Sequence, residues 1–183
     1  MAKKACSNIV LIGMPGSGKS TVGKQLARRY NLEFIDGDFL IEAAANMSIQ
    51  SIVDNWGLKR FNRLEQEVLC DLNVNQSLVS TGGSAVYSDA AMHHLGNIGL
   101  RVYLRITPYT MLRRINNAST RGLFKLPGHS LMRLYEQRKS MYPRHAAVTF
   151  DNDRPFTAQT ANVLYAIIEG PHSAFIDPRI AVR

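Results

Sequence analysis

Cysteine is nearly missing from this chain. Only Cys6 and Cys70 occur in 183 residues, and no C-x-x-C spacing exists. A disulfide framework is excluded, and two reduced thiols are expected. Long apolar runs are missing as well: no stretch reaches the roughly 18 apolar residues of a membrane-spanning helix. Residues Met1–Cys6 lead toward the first apolar run with neither an h-region nor a cleavage site, from which we expect a cytoplasmic protein. The five histidines, His93, His94, His129, His145 and His172, fall at no metal-ligand spacing, so no protein-built metal cluster is expected. Acidic residues are in the minority, 14 against 22 Lys and Arg, for a net charge of +8. Such an excess suits nucleic acid or a small polyanion. The basic residues gather at Arg113-Arg114, Arg121 and Arg133–Arg144 without interleaved aromatics that would stack bases. Polyphosphate chemistry explains the charge better. No Asn-Lys-x-Asp for reading guanine occurs, nor a strand of four apolar residues ending in Asp-Glu, which excludes GTPases and large ATPases.

What is present begins at residue 13. Gly13-Met14-Pro15-Gly16-Ser17-Gly18-Lys19-Ser20 is a complete G-x-x-x-x-G-K-[ST] phosphate-binding loop. Its glycines let successive N–H groups turn inward on a polyphosphate, and Lys19 reaches the terminal phosphates. Ser20 can hold Mg²⁺, and the following helix aims its positive N-terminus at the anion. The flanks agree, with apolar Asn8–Ile12 before the loop and Val22, Leu26 and Ala27 at helical spacing after it.

Apolar strand-like runs at 9–12, 32–35, 78–80, 100–106 and 147–150 alternate with helical patterns at 20–30, 59–72, 88–95, 108–115, 130–142 and 157–168. This alternation predicts an α/β fold, a five-stranded parallel sheet covered on both faces. The length suits one domain, placed at 1–170, with a C-terminal tail over 171–183. Two segments exceed a bare scaffold: a helical insertion at about 38–65, and a polar, Gly-containing stretch at about 116–130 that reads as a mobile lid. Both emerge beyond the carboxyl ends of the strands, where open sheets bind ligands.

Asp36-Gly37-Asp38 follows the second strand run. One carboxylate can hold Mg²⁺ through water while the other orients a hydroxyl and takes its proton; a turn with a helix N-cap would use the same residues. Ser80-Thr81-Gly82-Gly83-Ser84 follows the third run, where adjacent glycines let backbone approach a ligand. Arg121 in the lid can close on a transferring phosphoryl group.

In this order the motifs resemble the shikimate kinase family of P-loop small-molecule kinases, over roughly residues 8–168. The resemblance rests on the phosphate loop, Asp36-x-Asp38, Phe61-x-x-x-Glu65, the glycine turn at 82–83, Arg121 and Arg138-x-x-x-Tyr142. It implies a P-loop NTPase-type three-layer α/β/α sandwich with NMP-kinase-like substrate-binding helices and a lid. It also implies ATP-dependent phosphorylation of a shikimate hydroxyl to shikimate 3-phosphate, with Mg²⁺, by a monomer that needs neither nucleic acid nor membrane. Gly16, Ser17, Gly18, Lys19, Ser20 and Thr21 would then hold the nucleotide phosphates, and Arg113 and Arg154 would flank adenine. Ser20 and, through water, Asp36 would hold the metal. Asp38, Asn62, Gly83 and Arg138 would bind the acceptor, with Lys19, Asp38 and Arg121 catalytic. Arg138, whose planar fork suits a carboxylate, would grip the acceptor's acid group. The family pattern Gly-Glu-x-x-Phe-Arg-x-x-Glu reads Gly57-Leu58-Lys59-Arg60-Phe61-Asn62-Arg63-Leu64-Glu65 here, so Asn62 stands where an Arg is expected. A triple glycine reads Gly82-Gly83-Ser84, and the lid reads Arg121-Gly122-Leu123-Phe124. Because these departures fall on the acceptor side, two other readings stand beside the first. One is a kinase of the same fold for another small hydroxylated acid or amino alcohol; the other is a non-catalytic nucleotide-binding regulator.

Overall fold

The computed structural model describes residues 8–116 and 128–169. Five strands, β1 (Asn8–Ile12), β2 (Glu33–Asp36), β3 (Ser77–Ser80), β4 (Gly99–Arg105) and β5 (Val148–Asp151), form one sheet in the order β2-β3-β1-β4-β5. Every pairing is parallel, as expected for strands joined by helical crossovers. The central β1 is buried along its whole length, which explains its unbroken apolar sequence.

Side chains alternate across the sheet and build two cores. Ile9 and Leu11 of β1 face one layer with Leu26 and Tyr30 of α1 (Lys19–Tyr30) and Leu164 and Ile168 of α8 (Ala158–Glu169). Val10 and Ile12 face the other layer. That second layer comprises α3 (Ile49–Cys70), α4 (Asp89–Ile98), α5 (Pro108–Asn116), α6 (Gly128–Arg138) and the short α7 (Tyr142–His145). A third, smaller core around Ile41, Ile52 and Phe61 joins α2 (Gly37–Ala45) to α3 on both sides of Gly57. These helices fall largely in the segment read from the sequence as an insertion, and they have apolar packing of their own.

The strand and helix positions agree with the sequence reading to within about three residues, with three differences. α3 starts ten residues before the pattern suggested, because Ser48 caps it; Gly57, at φ 79°, then breaks it into two runs. A 3₁₀ turn over Ala85–Tyr87 follows the glycine turn. The expected helix at 130–142 divides into α6 and α7. Arg121, the rest of the expected lid between Asn116 and Gly128, and the tail at 171–183 lie outside the described residues.

The sheet's amino end is tied by one side chain. Buried Asn8 donates through Nδ2 to Val74 O and Ile98 O, both at 2.8 Å, and its Oδ1 accepts from Ser77 N at 3.0 Å. These bonds hold the loops entering β3 and β4 in register with β1. Replacing Asn8 with Ala leaves the buried Ser77 N–H and two part-buried carbonyls without this partner, and we expect urea denaturation to show a loss of about 2 kcal/mol.

Candidate active site

The loop after β1 turns sharply because two of its residues take backbone angles that side chains disfavour. Gly16 sits at φ 74° and Gly18 at φ 90°, the left-handed region that glycine enters without penalty. A Cβ on Gly18 would also stand 2.9 Å from Asn152 Nδ2. α1 starts at once behind it with no side-chain cap and no acidic residue in its first turn. Its leading N–H groups therefore remain available to an anion.

Lys19, the first helical residue, folds back under the loop. Its Nζ donates to Gly13 O at 2.9 Å and Met14 O at 3.0 Å. Burial pushes this ammonium down to about 8, and Arg138 adds to the fall, while Asp38, Asp36 and Glu65 oppose it. The loop is braced from its far side. Asn152 Nδ2 donates to Ser17 O at 2.8 Å, and the Arg114 guanidinium bonds Gly16 O at 3.3 Å and Asn152 O at 2.6 Å.

The second strand supplies the carboxylates. Asp36 ends β2 and caps α2, accepting from Asp38 N at 3.1 Å. The capping and the metal-binding readings of Asp36 are thus compatible, since one oxygen caps and the other remains for a metal-bound water. Asp38 lies in the first turn of α2 at the mouth of the cleft. It keeps solvent contact, but protein surrounds enough of it that desolvation raises its carboxyl, against a lowering pull from Lys19.

Glu65, on the second run of α3, reaches the same place from beneath and is 2% exposed. Burial pushes it up to about 7, with Asp38 adding; a hydrogen bond from Ser84 and the charges of Arg138 and Lys19 act the other way. Gly82 is what lets the two acids meet. A Cβ there would collide with Glu65 Oε1 and stand 2.8 Å from Asp38 Oδ1.

Opposite them is Arg138, the last residue of α6 and 9% exposed. Its Nε donates to Tyr87 OH at 2.9 Å, and the guanidinium lies 4.6 Å from that ring's centroid. Among the described residues, no carboxylate comes within ion-pair distance of it. A Cβ on Gly83 would be 3.3 Å from Arg138 Nη1 and 2.9 Å from Pro15 Cδ. Tyr142 OH donates to Gly83 O at 2.8 Å, and its ring stacks on Tyr103. The glycine turn is thereby clamped between the phosphate loop and the α6–α7 corner.

Comparison with known proteins decides what this constellation belongs to. A family model described as shikimate kinase matches residues 15–169. The shikimate kinase of Thiobacillus denitrificans is 37% identical over 177 residues, 93% of this chain and 96% of that one. That of Vibrio cholerae El Tor is 35% identical over 172 residues, 92% and 98% respectively. The structure of shikimate kinase from Acinetobacter baumannii in complex with shikimate superposes with a TM-score of 0.80 at 27% identity, covering 96% of this chain and 98% of that one. The chain belongs to the shikimate kinase family.

Within this member of the shikimate kinase family, the fold brings Lys19, Asp36, Asp38, Gly82, Gly83 and Arg138 to one cleft. Asn62 is half-buried and lines an adjoining cavity of about 190 Å³ with Glu65, Ser84 and Tyr87. Ser20 is half-buried and Thr21 exposed at the start of α1. Arg154 is exposed, and its carbonyl accepts from Arg114 at 3.2 Å. Arg113 is exposed and lies over the Tyr109 ring, while Arg114 reaches the phosphate loop. The sequence reading missed Arg114, Asn152 and the burial of Glu65. Adjacent residues on a helix differ by about 100° in direction, so Arg113 and Arg114 differ only once the buried face of α5 is known.

Glu65 has a consequence for stability. Its folded carboxyl titrates near 7 instead of 4.5. Between those values the unfolded chain has lost the proton and the folded one keeps it, so this group's contribution falls as pH rises. Glu65→Gln is therefore expected to gain on the parent progressively from about pH 4.5 to 7, by up to about 3 kcal/mol. Urea denaturation at pH 5 and 8 reads it, and an equal difference at both pH values would contradict it.

Proposed function

We propose that this protein transfers the γ-phosphoryl group of ATP to a hydroxyl of shikimate, giving shikimate 3-phosphate and ADP. The observation that carries the reading is Arg138: a buried guanidinium with no carboxylate partner among the described residues, opening on Gly83 across from Asp38 and the phosphate loop. An acceptor with an acid group at one end and hydroxyls at the other complements that arrangement. The family membership and the likeness to a relative solved with shikimate support the same acceptor.

Each residue then has a defined task. The N–H groups of Gly16–Thr21 and the Lys19 ammonium receive the nucleotide phosphates. In the free protein Lys19 is held by two loop carbonyls, so it is already positioned beneath the loop when nucleotide arrives. Ser20 and, through water, Asp36 would hold Mg²⁺, which supplies neutralisation of the phosphate charge. Asp38 accepts the hydrogen bond of the attacking hydroxyl and takes its proton. Arg138 grips the acid group while Gly83 lies against the ring, and Asn62 completes that side. Arg121 is assigned to the lid and to the phosphates; it lies outside the described residues. Arg114 and Asn152 fix the turn at 152–154, so that Arg154 can flank the base. Catalysis rests on positioning and charge neutralisation. We take the chain as a single kinase domain over 1–170, working as a cytoplasmic monomer.

ADP release measured with shikimate, quinate and small amino alcohols tests the acceptor. Turnover with shikimate is expected, and its absence alongside turnover with another acceptor would overturn the assignment. Asp38→Asn is expected to bind MgADP and lose about 10²- to 10⁴-fold in kcat. Asn62→Arg adds a second guanidinium for the acid group and is expected to lower the shikimate KM about tenfold or more.

A further inference from the structure

Glu65 is the only buried acidic side chain among the described residues, and its Oε1 has no hydrogen-bond partner. An orphaned carboxylate oxygen in so closed a setting is costly unless something meets it. The groups facing it are few: Asp38 from α2, Lys19 from α1, Arg138 from α6, and Ser84 beyond the glycine turn. Neither cation forms an ion pair with it. Lys19 is committed to Gly13 O and Met14 O, and Arg138 to Tyr87. Asn62, which shares the adjoining cavity, adds no charge.

Glu65 Oε1 and Asp38 Oδ1 also converge on the same bare Cα of Gly82. Two like charges brought together without a paired cation resist ionising together, so the better-buried one keeps its proton well above the ordinary carboxylate range. That one is Glu65, since Asp38 keeps solvent contact. The division has a chemical use: a neutral Glu65 leaves Asp38 as the sole anion beside the attacking hydroxyl.

We propose that Glu65 meets the acceptor as a neutral acid, its Oε1 bonded to an acceptor oxygen, so that acceptor binding is coupled to protonation of Glu65. This rests on the kinase reading above. At pH 8 most free protein has an ionised Glu65, because its carboxyl titrates near 7; binding then draws a proton from solvent.

Calorimetry of shikimate binding to the protein–MgADP complex, in buffers of different ionisation enthalpy, reads that proton. Uptake close to one proton at pH 8 and close to none at pH 6 is expected, with the shikimate Kd rising toward tenfold per pH unit above about 7. Glu65→Gln keeps a donor in the same position and is expected to lose both the uptake and the slope, with MgADP heat reporting that it is folded. Asn62→Arg brings a cation beside Glu65 and is expected to reduce the uptake. Shikimate heat with no proton taken up, or uptake that persists in Glu65→Gln, overturns the coupling. No shikimate heat at all overturns the acceptor assignment and the coupling with it.

Discussion

The main-chain curl at Gly16 and Gly18 is the constraint on which the rest of the site depends. It begins at the carboxyl end of the most buried strand, so its base cannot shift. From the other side Asn152 and Arg114 hold it to the turn after β5. Between these supports the start of α1 has no side-chain cap among the described residues. The loop is preorganised for an anion, and little reorganisation is required when one arrives. Thr81 N and Oγ1 both bond Leu11 O, which ties the glycine turn at 82–83 to the strand that carries the phosphate loop. The two sides of the cleft are thus referenced to one rigid element.

Charge is distributed at the site by burial. Lys19, Glu65 and Arg138 are all at or below 9% exposure, yet none of them forms an ion pair among the described residues. Their partners are carbonyls, a phenol and a serine, neutral groups that leave net charge for ligands to meet. Burial displaces the proton affinities of two of them, downward for Lys19 and upward for Glu65, and desolvation also raises the more open Asp38. Displacement of this kind is characteristic of functional sites. The adjacent α2 and α3 have a separate small core, so that side of the cleft can vary in sequence while the phosphate loop is held fixed.

Much of this was legible in the residues because the signals were local. Alternating apolar runs gave the strands, and the spacing of Gly13, Gly18, Lys19 and Ser20 declared the loop's geometry. Asp36 and Asp38 were readable as a pair, but the cap that engages one of them needs the helix start to be known. What escaped depended on tertiary neighbours. The burial of Glu65 comes from contacts 17 and more residues away in sequence, and a Glu on a helix ordinarily faces water. Asn152 sits in an unremarkable polar turn, and its contact with Ser17 O spans 135 positions. Gly57 opens the pattern Gly57–Glu65, but only the structure shows that it joins two helical runs with a positive φ of 79°.

The most direct test of the central claim is a crystal structure of the protein with MgADP and shikimate bound. The account requires the β-phosphate inside the ring of amides from Gly16 to Ser20, the acceptor's acid group on Arg138 and a ring hydroxyl on Asp38. Phosphates seated away from that loop, or an acceptor whose acid group lies away from Arg138, would contradict it.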